Sequence, residues 1–178
     1  LRVGLLTAAS ASGVLLVART PSAYRALVRL FASRSIDKRY LAIVYGAPAA
    51  ASGTIEAPIA RHRTERQRMT VRAGGRPATT GWRTVATAGA VALLELTLHT
   101  GRTHQIRVHL KHFAHPLIGD PVYGEARWRG VTGPARRALE SFPRPALHAW
   151  RLRLPHPNGG AELTLEAPAP PDLVELWS

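Results

Sequence analysis

The sequence predicts an α+β domain in which a mostly antiparallel or mixed β-sheet carries a few flanking helices. Strand-like runs outnumber helical patterns along the chain, and short turns rich in glycine and proline separate them. The length of 178 residues suits one domain, and a hydrophobic content of 46% can supply its core. We therefore interpret residues 1–178 as a single domain.

The first strand and the first helix are predicted within residues 14–33. Residues 14–18 are a short apolar run, which favours a buried strand. Thr20 is the expected N-cap of a helix that has Pro21 in its first turn and ends near Ser33. One apolar stripe of this helix is predicted to consist of Tyr24, Leu27, Val28 and Phe31.

The middle of the chain is predicted to be mostly extended. Residues 40–45 have the composition of a strand, and residues 54–59 form a shorter extended piece. Residues 61–76 contain six arginines and end in a glycine turn. Residues 80–87 and 91–99 are predicted to pair as a β-hairpin.

The last third of the chain is predicted to contain one helix and two more strands. Residues 106–113 fit a helix, because Ile106, His109, Leu110 and Phe113 share one face. Residues 130–145 are a polar excursion bounded by glycine and proline. The remaining predicted segments are a loop at 119–124, strands at 146–154 and 162–166, and a half-turn of helix at 172–177.

The chain is strongly basic, with 24 lysine and arginine residues against 11 acidic residues and a formal net charge of +13. This excess favours a polyanionic partner, with nucleic acid ahead of an acidic membrane surface. Arginine-rich codon usage explains the predominance of arginine over lysine but does not explain the net excess. No apolar run approaches about 18 residues, which argues against a membrane span. The absence of cysteine excludes a disulfide framework and a zinc–thiolate site, and it fits the cytoplasm.

Residues 1–13 have two interpretations. Arg2, a short apolar patch and several small residues resemble a weak signal peptide. The apolar core is short and a strand-like run follows it without a gap, so this interpretation is the less favoured one. Because the chain begins with Leu1 and Met69 is its one methionine, we expect a fragment or a processed chain.

The densest polar cluster lies at residues 101–109, where a predicted strand ends and a helix begins. Backbone N–H groups at such a helix N-terminus favour an anion. Arg102 and Arg107 could therefore hold a phosphate or a catalytic carboxylate, with Thr103 and Gln105 as hydrogen-bonding partners. The alternative is an ordinary capped helix with solvated arginines.

The histidines of this region do not favour a metal site. They are His104, His109, His112 and His115. The chain has no cysteine and the nearest acid is Asp120, so a metal would need an almost purely imidazole ligand set. Asp120 stands in a turn, where an aspartate usually hydrogen-bonds to its own backbone. We expect no metal and no cofactor.

Six collinear segments, taken together, resemble the RluA-type RNA pseudouridine synthases, a group with an RsuA/RluA-like catalytic domain. They are residues 12–19, 38–42, 101–109, 115–124, 147–149 and 166–168, and the segment 101–109 is the most specific. The resemblance implies isomerisation of uridine to pseudouridine in structured RNA such as rRNA or tRNA, in the cytoplasm and without a cofactor. It implies that the uridine is flipped out, its N-glycosidic bond is broken with an essential Asp, and the base is rejoined through C5.

The resemblance also implies roles for individual residues. Tyr40, which stands between basic residues and could equally be a core aromatic, would stack on the extruded base. Arg107 would pair with the catalytic Asp, and Leu147 would form an apolar wall of the uracil pocket. The residues implied in substrate binding are Leu147, Arg102, Thr103, His104 and Gln105.

The sequence departs from the family pattern at the position of the catalytic Asp, which Ala8 occupies. A methyl group cannot attack a sugar carbon, so we expect impaired activity and a buried Arg107 that needs another anion. Three explanations remain open for the atypical residues 1–11. The N-terminus could be truncated or frame-shifted, the chain could be a catalytically inactive RNA-binding relative, or it could be a basic module of another class.

Overall fold

The computed structural model describes residues 2–8, 11–125, 131–157 and 159–178, and for residues 2–8 it describes the backbone alone. Within these residues the chain forms ten strands and four helices. In chain order they are β1 (Arg2–Ala8), β2 (Ala11–Val17), α1 (Pro21–Ala32), β3 (Asp37–Tyr45), β4 (Ser52–Glu56), β5 (Ile59–Arg61), β6 (Met69–Val71), β7 (Thr79–Ala88), β8 (Val91–Leu98), α2 (Gln105–His112), α3 (Gly133–Ser141), β9 (Leu147–Leu154), β10 (Leu163–Glu166) and α4 (Pro171–Trp177).

The main sheet has the strand order β1-β2-β9-β3-β8-β7-β4, and β10 pairs with the free part of β9. Strands β2 and β9 are parallel, while the other described pairs of this sheet are antiparallel. Strands β5 and β6 form a separate small hairpin. The predicted α+β class with a mixed sheet is therefore confirmed. None of the described helices is long and apolar enough to cross a membrane.

The two faces of the sheet carry different helices. Helix α2 packs on the face to which Ala42 of β3 points, whereas α3 and α4 pack on the opposite face, around Ile43. Helix α1 lies on the same face as α2. Its Phe31 ring lies 5.9 Å from Nζ of Lys38, and Lys38 points to the same face of β3 as Ala42, four residues later. Helices α1 and α2 thus lie over the same face of the sheet.

Strand β2 is less buried than predicted. The strand predicted at residues 14–18 is confirmed by β2, but its predicted burial is wrong, because Leu15 and Val17 are 39% and 45% exposed. The reason is that Leu16 packs into the apolar cluster under α1, while no described helix covers the other face of the strand.

Helix α1 begins and ends where predicted, and the Thr20 hydroxyl accepts a hydrogen bond from the Ala23 N–H. Its predicted apolar stripe is confirmed at Leu27 but wrong at the other three positions, because the buried residues are Ala23, Ala26 and Leu27. The exposed ones are Tyr24, Val28 and Phe31, at 62%, 48% and 48%. Alanines let the helix backbone lie close to the sheet, which leaves the bulky aromatic side chains at its outer edge.

Other predictions agree with the structure in type but differ in extent. The hairpin of β7 and β8 turns at Gly89, and β9 pairs with β10, as predicted. The extended piece at 54–59 divides into β4 and β5. The polar excursion contains helix α3, and the final half-turn is the longer helix α4, each with a proline in its first turn.

Gly13 permits the close approach of the parallel strands β2 and β9. Its φ is +125°, and a Cβ atom there would lie 2.2 Å from the carbonyl oxygen of Ala149. We expect Gly13→Ala to lower the free energy of unfolding by more than about 3 kcal/mol, since strain and collision add. Urea unfolding checks this against Gly89→Ala, which has a positive φ but open space around it. Equal losses in the two variants would contradict the prediction.

Candidate active site

Tyr40 and Leu147 lie on the sheet face between α1 and α2. Tyr40 pairs with Leu96 on one side and with Ala149 on the other, and it packs against the cluster under α2. Burial raises the pKa of the Tyr40 phenol, so the ring is neutral at physiological pH. Leu147 is 5% exposed and lies opposite Ala42 in the pairing of β9 with β3. The two side chains therefore place an aromatic and an aliphatic group on the same face of the sheet.

The backbone of Ala8 reaches the same end of the sheet. Ala8 pairs with Ala11, and Ser12 pairs with His148, the residue after Leu147. Residue 8 therefore lies in β1, separated from β9 by β2, and is in register with the first residues of β9. The side chain of Ala8 lies outside the described residues, so its predicted place in the catalytic site stays a prediction.

A buried histidine fixes β2 against β9 at this level. Nδ1 of His148 lies 2.9 Å from the Ser12 hydroxyl, and Nε2 lies 3.0 Å from the carbonyl oxygen of Ala167. Nε2 donates to this carbonyl, so Nδ1 of the neutral ring accepts from Ser12. Burial, and secondarily Arg144, lowers the pKa of His148 and keeps the ring neutral.

Arg107 and Asp120 form a buried, bidentate ion pair. Nε and Nη2 of Arg107 each donate to a carboxylate oxygen of Asp120 at 2.7 Å. Oδ1 of Asp120 also accepts from the N–H groups of Val122 and Tyr123, as predicted for an aspartate in this turn. Burial acts to raise the pKa of Asp120, but the hydrogen bonds from Arg107 and the backbone lower it further than burial raises it.

This pair answers two questions left by the sequence. The anion that compensates buried Arg107 is Asp120, not a residue near position 8. Asp120 is itself unsuited to attack a substrate, because its side chain is fully buried and both oxygens are engaged. Arg107 keeps Nη1 without a hydrogen bond among the described residues, so this nitrogen can face a further anion.

The pair adjoins the start of β9. The N–H of Ile118 donates to the carbonyl of Ile43, and the N–H of Ala146 donates to the carbonyl of Ile118. The segment leading to Asp120 therefore runs beside Leu147, and the ring of Tyr123 lies 4.8 Å from the Arg107 guanidinium. Arg107 is thus linked through Asp120 to the segment beside the start of β9, and the backbone of residue 8 is linked to the same part of β9 through β2.

Gln105 is engaged inside the fold. It is 2% exposed, its side-chain oxygen accepts from Thr100 and from the N–H of Arg102, and its side-chain nitrogen donates to the carbonyl of Thr79 and the hydroxyl of Thr80. These bonds tie the start of α2 to β7. Both polar atoms of the Gln105 side chain are therefore occupied, which does not support the predicted contact of Gln105 with substrate.

The other residues of this loop face outward to different degrees. Thr103 is exposed, and Arg102 donates from Nε to the carbonyl of Pro77. His104 has a left-handed φ of +54°, and its Nδ1 lies 2.9 Å from the hydroxyl of Tyr123, which accepts from the N–H of Met69. Burial, and secondarily Arg107, lowers the pKa of His104. Sequence reasoning missed Tyr123, because its partners are 19 and 54 residues away.

The histidines considered as metal ligands are separated in the structure. Both ring nitrogens of His109 are engaged, with Thr80 and with the carbonyl of Ala57, and His115 lies against the carbonyl of Tyr45. Over residues 2–8, 11–125, 131–157 and 159–178, no group of three or more candidate ligands is close enough to hold a metal ion.

Comparison with known proteins identifies relatives of this fold. The family described as RNA pseudouridylate synthase matches residues 9–112, beginning directly after Ala8. The ribosomal large subunit pseudouridine synthase D of Xanthomonas campestris pv. campestris is 45% identical over 169 residues, which are 94% of this chain and 51% of that protein. The protein of the same name from Escherichia coli K12 is 45% identical over 168 residues, which are 93% of this chain and 51% of that protein. The chain spans about half the length of these curated relatives.

Solved structures resemble the chain over most of its length. Human RNA pseudouridylate synthase domain containing 1 has a TM-score of 0.75 and 29% sequence identity, covering 97% of this chain and 72% of its own. Human RNA pseudouridylate synthase domain containing 4 has a TM-score of 0.75 and 26% identity, covering 93% and 70%.

Proposed function

The chain belongs to the RNA pseudouridylate synthase family, and we propose that its fold serves the isomerisation of uridine to pseudouridine in RNA. The observation that carries this proposal is that the buried Arg107–Asp120 pair and the backbone of residue 8 are each linked to the start of β9, where Leu147 lies. We further propose that residues 1–178 act as one domain, that the substrate is rRNA or tRNA, and that the protein works in the cytoplasm.

The reaction requires that the N1–C1′ bond of uridine breaks, that the base turns, and that C5 bonds to C1′; C5 loses a proton and N1 takes one up, so the product is an isomer of the substrate. In this proposal the neutral Tyr40 ring stacks on the extruded uracil, and Leu147 forms the apolar wall of the pocket. Arg107, held by Asp120, presents Nη1 to the substrate or to a carboxylate restored at position 8. Arg102, Thr103 and His104 contact the RNA.

The missing part of this machinery is a free carboxylate. Asp120 is fully engaged, and in this proposal Ala8 takes the place of the family's catalytic Asp. We therefore propose that the chain as written binds RNA and isomerises uridine poorly. The alternative is a relative that binds RNA without catalysis; Ala8 supports it as well, because alanine supplies no carboxylate.

The test uses RNA labelled with tritium at C5 of uridine, because forming the C5–C1′ bond expels this hydrogen. We expect the unaltered chain to bind a large-subunit rRNA transcript more tightly than it binds heparin, and to release little tritium. Binding should weaken steeply with added salt. Equal affinity for heparin would contradict RNA recognition, and rapid release would mean that another group replaces the Asp.

A further inference from the structure

The outer edge of α1 is an exposed aromatic surface for which the mechanism above has no use. We define the aromatic face of α1 as Tyr24, Val28 and Phe31, which are 62%, 48% and 48% exposed. Two turns of helix separate Tyr24 from Phe31, so both rings lie on one side of the helix. An exposed patch of this kind marks a binding surface more often than isolated surface apolar residues do.

This face is continuous with the candidate active site. Nζ of Lys38 lies 5.9 Å from the centre of the Phe31 ring, and Lys38 precedes Tyr40 by two residues on the same face of β3. Burial lowers the pKa of Lys38; the charge of Asp37 acts to raise this pKa and the smaller effect of Arg34 acts to lower it. Aromatic and cationic groups thus run from Tyr40 across Lys38 to Phe31 and Tyr24.

The charge around α1 selects the partner. The first 36 residues of the chain contain no aspartate or glutamate. Arg25, Arg29 and Arg34 are exposed and have no ion pair within the described part of the chain. Asp37, the first acidic residue along the chain, forms an ion pair with Arg39 at 2.9 Å. A second copy of this chain would bring the same positive charge to the interface, whereas a polyanion would neutralise it.

The same charge continues to the N-terminal end of α2. Strand β3 pairs with β8 so that Arg39 lies opposite Thr97, which places the turn before β3 beside the loop after β8. Burial lowers the pKa of Arg102, and the nearby positive charges of Arg76 and of Arg34, which lies in that turn, lower it further. Arg102 is held in this place by its hydrogen bond to the carbonyl of Pro77.

From these contacts we infer that the aromatic face of α1, with Arg34, binds single-stranded RNA that flanks the target uridine. This inference rests on the proposed function, because it assigns a second contact to the same substrate. Unpaired bases stack on Tyr24 and Phe31, as bases do on exposed aromatic side chains, while Arg34 contacts a phosphate. Paired RNA has no free base face to offer, so the surface selects unpaired flanks.

The test measures binding of two fluorescent RNAs, a hairpin with a single-stranded uridine-rich tail and the same hairpin with a blunt end. We expect Tyr24→Ser with Phe31→Ser to weaken binding of the tailed RNA at least about ten-fold and to leave the blunt RNA unchanged. Arg34→Ala should reduce the salt dependence of binding to the tailed RNA by about one unit of slope. Val174→Ser, at an equally exposed apolar residue of α4, is the matched control and should change neither affinity.

Each other outcome overturns the inference in a recognisable way. Equal losses for tailed and blunt RNA would mean that α1 contacts paired RNA or acts through the fold, which thermal unfolding of the double variant would show. Unchanged RNA binding together with a change from dimer to monomer in sedimentation would make this face a self-association surface. Failure of the unaltered chain to bind either RNA would overturn the proposed function as well as this contact.

Discussion

Ala8→Asp is expected to release tritium from C5-labelled uridine in RNA at least about 10³ times faster than the unaltered chain. Loss of the attacking group from an enzyme lowers kcat by about 10⁴ to 10⁶, and restoring it recovers most of that factor when the rest of the site is in place. The backbone of residue 8 is already positioned by its pairing with Ala11 and, through Ser12, by His148. We expect a carboxylate at this position to lie near the start of β9.

Two matched variants test whether the effect of Ala8→Asp requires the carboxylate itself and requires it at position 8. Ala8→Asn has nearly the same size and polarity as Ala8→Asp but is a much poorer nucleophile, so it should release no more tritium than the unaltered chain. Ala11→Asp places the carboxylate on the neighbouring strand and should also be silent. Silence of Ala8→Asp with intact RNA binding would show that residue 8 does not occupy the place of the family's Asp.

The sequence predicts the local features of this fold well because they depend on neighbouring residues. The turn of β7 and β8 at Gly89 and the N-cap of α1 at Thr20 each follow from a few adjacent side chains. The burial of α1 could not be predicted in this way. An aromatic stripe and an alanine-rich side are both compatible with helical spacing, and only the sheet beneath decides that Ala23 and Ala26 face inward.

The candidate site shows the same limit at longer range. Arg107 and its neighbours can be found from the polar cluster at residues 101–109, but their partners cannot. Asp120 is 13 residues from Arg107, and Ser12 is 136 residues from His148. The contact between Ser12 and His148 exists because β2 pairs in parallel with β9, and no local sequence pattern predicts this long-range pairing. The role of Asp120 as a structural partner therefore became visible only in three dimensions.

Asp120→Ala is expected to lower the free energy of unfolding by about 3–5 kcal/mol at neutral pH. The substitution leaves the Arg107 charge buried without a partner, and it removes the acceptor of the Val122 and Tyr123 N–H groups. Urea unfolding measures the loss. The matched control is Glu162→Ala, which breaks an exposed pair with Arg153 and should cost less than about 1 kcal/mol.

A double variant and a pH series separate the buried charge from the lost packing. Arg107→Met added to Asp120→Ala should recover part of the stability, since no unpaired charge then remains. The fold lowers the pKa of Asp120, so its carboxylate stabilises the native state above about pH 4, and this contribution disappears as the pH falls through the folded pKa. The unaltered chain and Asp120→Ala should therefore converge in stability in acid. Two results would contradict the ion pair as the source of the effect. One is a difference in the free energy of unfolding between the unaltered chain and Asp120→Ala that stays constant down to pH 2. The other is a double variant that is less stable than Asp120→Ala by the full cost of Arg107→Met alone.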